Sequence, residues 1–175
     1  MKTLSLSTGL VLVCTLAGCD TLVARTPTAT AVLEARSGSE VHGQAGFVQM
    51  KDGSVRLRVE LVGLAPGSEH GLHLHEKGDC SAADASSAGG HFNPDGAPHG
   101  RSGLGPHHAG DIDSVVADGA GRVTADLRIE GVTVLPGPRS VLGHAIVVHR
   151  DRDDYVSQPS GNAGPRIACG VISAN

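Results

Sequence analysis

The sequence predicts an all-β domain, an eight-stranded Greek-key sandwich or barrel that carries two long functional loops. Three observations predict it. Several short runs alternate apolar and polar residues with the period of two that marks a half-buried strand. The chain holds 25 Gly and 9 Pro among 175 residues, punctuation that suits short strands and turns better than helices. No run carries helical apolar spacing. Aromatic residues make up only 2% and Trp is absent, so the core must be built from Val, Leu, Ile and Ala.

The chain opens on Lys2 and a short apolar stretch, Leu4 to Leu16, too short to span a bilayer comfortably. The stretch ends in Leu16-Ala17-Gly18-Cys19, which resembles the bacterial lipoprotein signal, where the cysteine thiol is lipidated before cleavage. On that reading residues 1–18 are a signal peptide, Cys19 is the lipidation site and 19–27 are a lipid tether. The mature protein is then exported to the periplasm or cell envelope and anchored to a membrane. An ordinary signal peptide cut nearby, or an uncleaved anchor, is the competing reading. Cleavage before Cys19 removes Lys2 and takes the formal net charge from −4 to −5.

The domain proper spans 28–175. Ala29 to Ala35 and Gly43 to Met50 read as the first two strands. Lys51-Asp52-Gly53 makes a turn, because Gly tolerates positive φ. Val55-Arg56-Leu57-Arg58-Val59-Glu60-Leu61 then alternates strictly, apolar in and charged out. Gly71 to His75 is a short strand. Ile112 to Ala117, a second hairpin turn at Asp118-Gly119, and Val123 to Ile129 follow. Ala145 to His149 is an apolar run ending in His, and Ile167 to Ile172 is the last strand.

Two segments break this pattern. Cys80 to Gly110 is rich in Gly, Ser, Ala, Pro and His, with almost no large apolar residue. A loop of that length in a small domain needs a function to justify it, and metal would order what hydrophobic burial cannot. Arg150 to Pro165 is a second polar loop. Cys80 and Cys169 are the two body cysteines. In an oxidising compartment a disulfide between them is the default, with two free thiols as the alternative.

The chain has 10 His, most of them between His70 and His149. His73-Leu74-His75 places both imidazoles on one face of a strand, where they can grip one ion. His91, His99 and His108 recur at near-equal spacing, with Asp111 three residues beyond. Three His and a carboxylate suit tetrahedral zinc. Four imidazoles suit tetragonal copper. Filling both sites needs one ligand more than the chain plainly offers, unless one imidazole serves both ions.

Gly71-Leu72-His73-Leu74-His75-Glu76, Gly90-His91-Phe92-Asn93-Pro94, His108-Ala109-Gly110-Asp111, Val147-Val148-His149 and Gly161-Asn162-Ala163-Gly164-Pro165-Arg166-Ile167-Ala168-Cys169-Gly170 together resemble the copper/zinc superoxide dismutases. The motifs fall in the family's order, over roughly Thr28 to Asn175. The resemblance implies that His73, His75 and His149 are copper ligands and that His91 bridges copper and zinc. It implies that His99, His108 and Asp111 complete the zinc site. Asp153 matches the carboxylate that links a copper histidine to a zinc histidine. Arg166 matches the anion-guiding arginine, and Cys80–Cys169 the family disulfide. The implied activity is disproportionation of superoxide to O2 and H2O2 by Cu(II)/Cu(I) cycling beside a structural zinc, with His91 and Arg166 as the catalytic pair. Leu72 departs from the usual Phe, and Arg150 from a more usual acidic or small residue. The Cys80–His91 spacing resembles the bacterial form, whose members occur as monomers and dimers, so a homodimer is compatible with it.

The absence of a basic run or patch in the sequence argues against a nucleic-acid partner. His42, His70, His107 and His144 read as surface or satisfied structural histidines. His107 adjoins His108, and the spacing to Asp111 favours His108 as the ligand. Two other functions remain open: a metal carrier on the same fold without turnover, and a lipoprotein whose His-rich loop only buffers metal.

Overall fold

The computed structural model describes Thr26 and residues 28–175. The signal peptide read over 1–18, Cys19 and all of the tether but Thr26 lie outside the described residues. The strands are β1 (Thr28–Ala35), β2 (His42–Gln49), β3 (Val55–Val62), β4 (Glu69–His75), β5 (Asp111–Val116), β6 (Val123–Ile129), β7 (Ala145–His149), β8 (Arg166–Val171) and β9 (Ser173–Ala174). Among the described residues one 3-10 turn, Ser86–Ala88, is the only helical element. The eight expected strands are present, and the two-residue β9 adds to β1.

Hydrogen-bonded order is β5-β4-β7-β8-β1-β2-β3-β6, a nearly closed antiparallel barrel with Greek-key connections from β3 to β4 and from β6 to β7. β1 joins its halves. Its Thr28–Leu33 stretch pairs with β2, while Glu34 and Ala35 pair with β8. The hairpin at Asp52-Gly53 forms, with Gly53 at φ 89°. The turn at Asp118-Gly119 also forms, but β5 and β6 do not make a hairpin. β5 pairs with β4 and β6 with β3, so this turn crosses the barrel's open seam. A carboxylate fastens it where a ladder is lacking: Asp118 Oδ1 accepts the Ala120 and Arg122 amides at 2.8 and 2.9 Å.

The alternation seen in sequence fills the barrel. Leu33, Phe47, Val55, Leu57, Val59 and Leu61 are buried within it. Leu72, Leu74, Ile146 and Val148 meet them from the other half. On β4 and β7 the outward face is buried too, since every residue from His70 to His75 and from Ala145 to His149 is shielded from solvent. The loops between β4 and β5 and between β7 and β8 cover that face. A second small cluster of Cys80, Ala85, Ala88, Ala145, Val147 and Cys169 glues the first loop down. The Cys80–Cys169 disulfide runs through it and closes a separation of 89 residues. In the chain-entropy account such a closure contributes about 4–5 kcal/mol.

Candidate metal centre

Strand parity puts the first ligands in place. Because Leu72 and Leu74 point into the barrel, His73 and His75 must point out, under the loops. β7 repeats the device with Ile146 and Val148 inward. A register shift between Val148 and His149 then re-aims His149 at the strand end. The long loop brings in His91, which bridges to His75 in a short ladder, followed by His99 and His108. Asp111 opens β5 opposite His73.

Two sets of donors converge, each with its atoms within 4.8 Å of one another: His73, His75, His91 and His149, and His91, His99, His108 and Asp111. His91 belongs to both. All seven side chains are buried. His108, not its neighbour His107, meets Asp111; the His107 Nδ1–H instead donates to the His108 carbonyl at 2.7 Å.

In the second set Asp111 Oδ2 accepts the Gly100 and His108 amides at 3.0 and 2.9 Å, which fixes the carboxylate. Its Oδ1 faces the Nδ1 atoms of His91, His99 and His108 at 2.7, 3.0 and 3.1 Å. The Nδ1 atoms of His91 and His108 stand 3.3 Å apart. A tetrahedral shell with bonds of about 2.0–2.1 Å has edges of about 3.3 Å. Three imidazole nitrogens and one carboxylate oxygen at this spacing fit a zinc ion.

In the first set each ring has one nitrogen committed. His73 Nε2–H donates to Asp153 Oδ2 at 2.7 Å, His75 Nδ1–H to the Gly89 carbonyl at 3.0 Å, and His149 Nδ1–H to the Gly164 carbonyl at 3.1 Å. What remains is His73 Nδ1, the Nε2 atoms of His75 and His149, which lie 3.4 Å apart, and His91 Nε2. His73 Nδ1 and His91 Nε2 are buried without any hydrogen-bond partner. Acceptor nitrogens aimed at one another with no proton donor among them fit a cation and little else. The committed nitrogens fix each tautomer in the form a metal needs.

The charges follow from this packing. Burial drives His73 down to about 4, against the pull of Asp153. Burial takes His149 to about 3, helped by the nearby His73. It takes His75 to about 2, with His91 and Arg166 adding to the effect. These rings are therefore neutral ligands at pH 7. Burial alone would raise Asp111 and Asp153. The ring and amide donors around each outweigh it and hold both far below the carboxylate range. His99 lies between those two carboxylates, which overcome its burial and raise it to about 9.

Asp153 joins the sets: Oδ2 takes His73 Nε2–H and Oδ1 takes His99 Nε2–H at 2.9 Å. Gly161 has φ 65°, and a Cβ there would collide with that carboxylate, so the residue must be Gly. Arg166 lies half-buried at the start of β8, and desolvation lowers its pKa somewhat. Nη1 donates to the Ala85 carbonyl at 2.7 Å and Nη2 to the Gly89 carbonyl at 2.6 Å. The Gly89 carbonyl thus holds both Arg166 and His75.

Three supports carry no signature in the residue pattern. The Gly89 and Gly164 carbonyls are backbone groups and carry no side-chain signature. Gln158 reaches His99 across 59 positions. His70 is a satisfied buried histidine, as its sequence suggested. Its Nδ1–H donates to the His149 carbonyl at 2.9 Å, and its Nε2 meets the Ser68 hydroxyl at 2.6 Å.

A Greek-key barrel with two adjoining metal-ligand sets that share one imidazole defines a class of dinuclear metalloprotein. The family profile for copper/zinc superoxide dismutase matches residues 41–172. Among curated relatives, "Superoxide dismutase [Cu-Zn] 2" of Aquifex aeolicus (strain VF5) is 41% identical over 137 residues, 76% of this chain and 80% of that one. "Superoxide dismutase [Cu-Zn] 1" of the same organism is 40% identical over 134 residues, 74% of this chain and 79% of its own length. Among solved structures, the clock protein EA4 superposes with a TM-score of 0.76 at 39% identity, covering 85% of this chain and 96% of that one. The chain belongs to the copper/zinc superoxide dismutase family. That makes it an oxidoreductase of the superoxide-dismuting kind, with copper and zinc as its metals.

Proposed function

We propose that this chain is an exported, lipid-tethered copper/zinc superoxide dismutase working at the cell envelope. His73, His75, His91 and His149 hold copper, and His91, His99, His108 and Asp111 hold zinc. The observation that carries the assignment is His91, whose Nδ1 meets Asp111 while its buried Nε2 is left without a partner on the other side. Copper, when bound, supplies one-electron chemistry between Cu(II) and Cu(I), and zinc supplies a fixed positive charge.

The net reaction takes two superoxide anions and two protons to O2 and H2O2. His91 Nε2 is the atom at which a proton can be held and passed to the reduced oxygen. Its ring stays anchored meanwhile through Nδ1. Arg166 gives a small anion a fixed positive partner, its guanidinium locked by the Ala85 and Gly89 carbonyls. Asp153 orients His73 and His99 together. The His73, His75 and His149 imidazoles, kept neutral by burial, do not compete with the substrate for protons.

The test is metal content and superoxide decay measured together on the folded, disulfide-bonded protein. One copper and one zinc per chain with cyanide-sensitive turnover are expected. Both metals bound without turnover would make the chain a carrier and overturn the enzyme. The sequence Leu16-Ala17-Gly18-Cys19 supports the tether, and the Cys80–Cys169 disulfide suits an oxidising compartment. Cells fed labelled palmitate should label the mature protein, and Cys19→Ala should abolish the label; a mature protein that takes up no label would end the lipoprotein reading.

A further inference from the structure

The loop between β7 and β8 touches the zinc-side ligands at more than Asp153. Gln158 faces the backbone of His99. Its Oε1 accepts the His99 amide at 2.9 Å, and its Nε2 donates to the His99 carbonyl at 2.9 Å. A further Nε2 contact reaches the Val156 carbonyl at 3.3 Å. The side-chain amide copies a neighbouring strand: one acceptor and one donor on the same residue. The direction of each His99 group fixes which way the amide points. His99 lies in a loop segment with no ladder of its own, so this pair does for its backbone what a strand partner would do.

Tyr155, the chain's one tyrosine, secures the same loop to β5. Its hydroxyl accepts the Ser114 amide at 2.9 Å, capping an edge that no strand covers. Ser114 Oγ accepts the Asp153 amide at 3.2 Å. The Arg101 guanidinium lies over the Tyr155 ring at 5.0 Å while its Nε donates to Asp113. None of these contacts requires a metal.

We propose that Gln158 is a positioning residue for the zinc site. It holds the His99 backbone so that the ring already points Nδ1 at Asp111 and Nε2 at Asp153 before the ion arrives, and Tyr155 keeps the loop that carries it in place. The inference rests on the assignment of His91, His99, His108 and Asp111 as the zinc site. A ligand whose backbone is already ordered loses less entropy on binding, so the contact acts on affinity and geometry rather than on turnover alone.

The experiment titrates the metal-free full chain with Co(II), whose visible bands report a tetrahedral site. Gln158→Leu is expected to weaken Co(II) binding by about 10–100-fold, the usual range for loss of an outer support, and to shift the bands. Gln158→Glu, which keeps the acceptor for the His99 amide, is expected to recover part of the affinity. Tyr155→Phe, which removes only the hydroxyl and keeps the ring under Arg101, is expected to weaken binding less. Should Gln158→Leu fail to fold, Gln158→Glu and Tyr155→Phe decide the matter. Unchanged isotherms and bands in the variants, even with a lowered melting temperature, overturn the inference. Absence of tetrahedral bands in the unmodified chain would overturn the zinc-site assignment itself, and the inference with it.

Discussion

The two outer faces of this barrel are built from the same alternating strands and end up opposite in character. On β3 and β6 the outward residues are Arg56, Arg58, Glu60, Asp126 and Arg128. They meet water, with Arg56 paired to Asp126 and Arg58 to Glu60. On β4 and β7 the outward residues are His73, His75, Val147 and His149, roofed by two loops and buried. One face tolerates charge because water solvates it. The other accepts only groups that are neutral when buried and that can bind an ion. A half-buried strand becomes a metal platform when its polar face is imidazole and a loop excludes water.

The comparison predicts that variants on the roofed face remove function and variants on the open face do not. The largest effect should come from His91→Ala, which takes a donor from both sets. Superoxide turnover should fall to the uncatalysed blank, with zinc and copper both weakened in metal analysis. Measurable turnover in that variant would show that His91 is not the shared ligand. By contrast, Leu57→Ala in the barrel interior should cost about 2–5 kcal/mol of stability, as buried Leu truncations do. Denaturant melts would read that loss while the metal stoichiometry per folded chain stays unchanged.

Next in size is the bond that pins the roof. Cys169→Ser removes the disulfide and should cost about 2–5 kcal/mol. It should also loosen Ala85 and Gly89, the carbonyls that hold Arg166. Turnover at low superoxide concentration should therefore fall more than the loss of folded protein explains. A proportional fall in both would confine the disulfide to stability.

The two faces also differ in how far their sequence could be read. Arg56, Arg58 and Glu60 announce their strand because water, a general solvent, imposes a general alternation. Leu72-His73-Leu74-His75 announces both a strand and a ligand pair for the same reason, with His in the polar slots. The count of ligands implied a shared imidazole, but only the family resemblance chose His91. What stayed hidden depends on contacts between distant segments. The Gly89 carbonyl, the Gly164 carbonyl and Gln158 act through backbone geometry that residue type does not encode. The seam between β5 and β6 reads as a hairpin in sequence and is not one, because a turn signature such as Asp118-Gly119 says that the chain reverses and not whom its strands then pair with.

Acid should separate the faces as well. In the metal-free protein His73, His75 and His149 have folded values of about 4, 2 and 3, below the unfolded value of about 6.5. Between those limits the unfolded chain binds more protons, so stability rises with pH across this window and falls as pH drops below about 6.5. His99 runs the other way: raised to about 9, its contribution is full below about 6.5 and is lost as pH rises through 9. The metal-free melting temperature should therefore fall on acidification from pH 6.5 to 4. His149→Gln, with no ring to protonate, should fall less steeply. Parallel curves would mean that burial of these rings is not what sets the acid limit.

The smallest effect belongs to the open face. Arg56 reaches Asp126 through both Nε and Nη2, yet its side chain is 56% exposed and that of Asp126 46%. Water at that exposure screens the attraction and competes for the donors, so such a pair contributes little to stability. Arg56→Ala should lower stability only slightly in low salt, and by less in 0.5 M salt (about a 4 Å screening length). Metal content and turnover should stay at the unmodified level. A loss of copper or zinc on removing Arg56 would mean that the two faces communicate through the barrel wall. That would contradict the packing seen, in which Leu57, Val59 and Leu72 fill the interior between them and carry no polar contact from one side to the other.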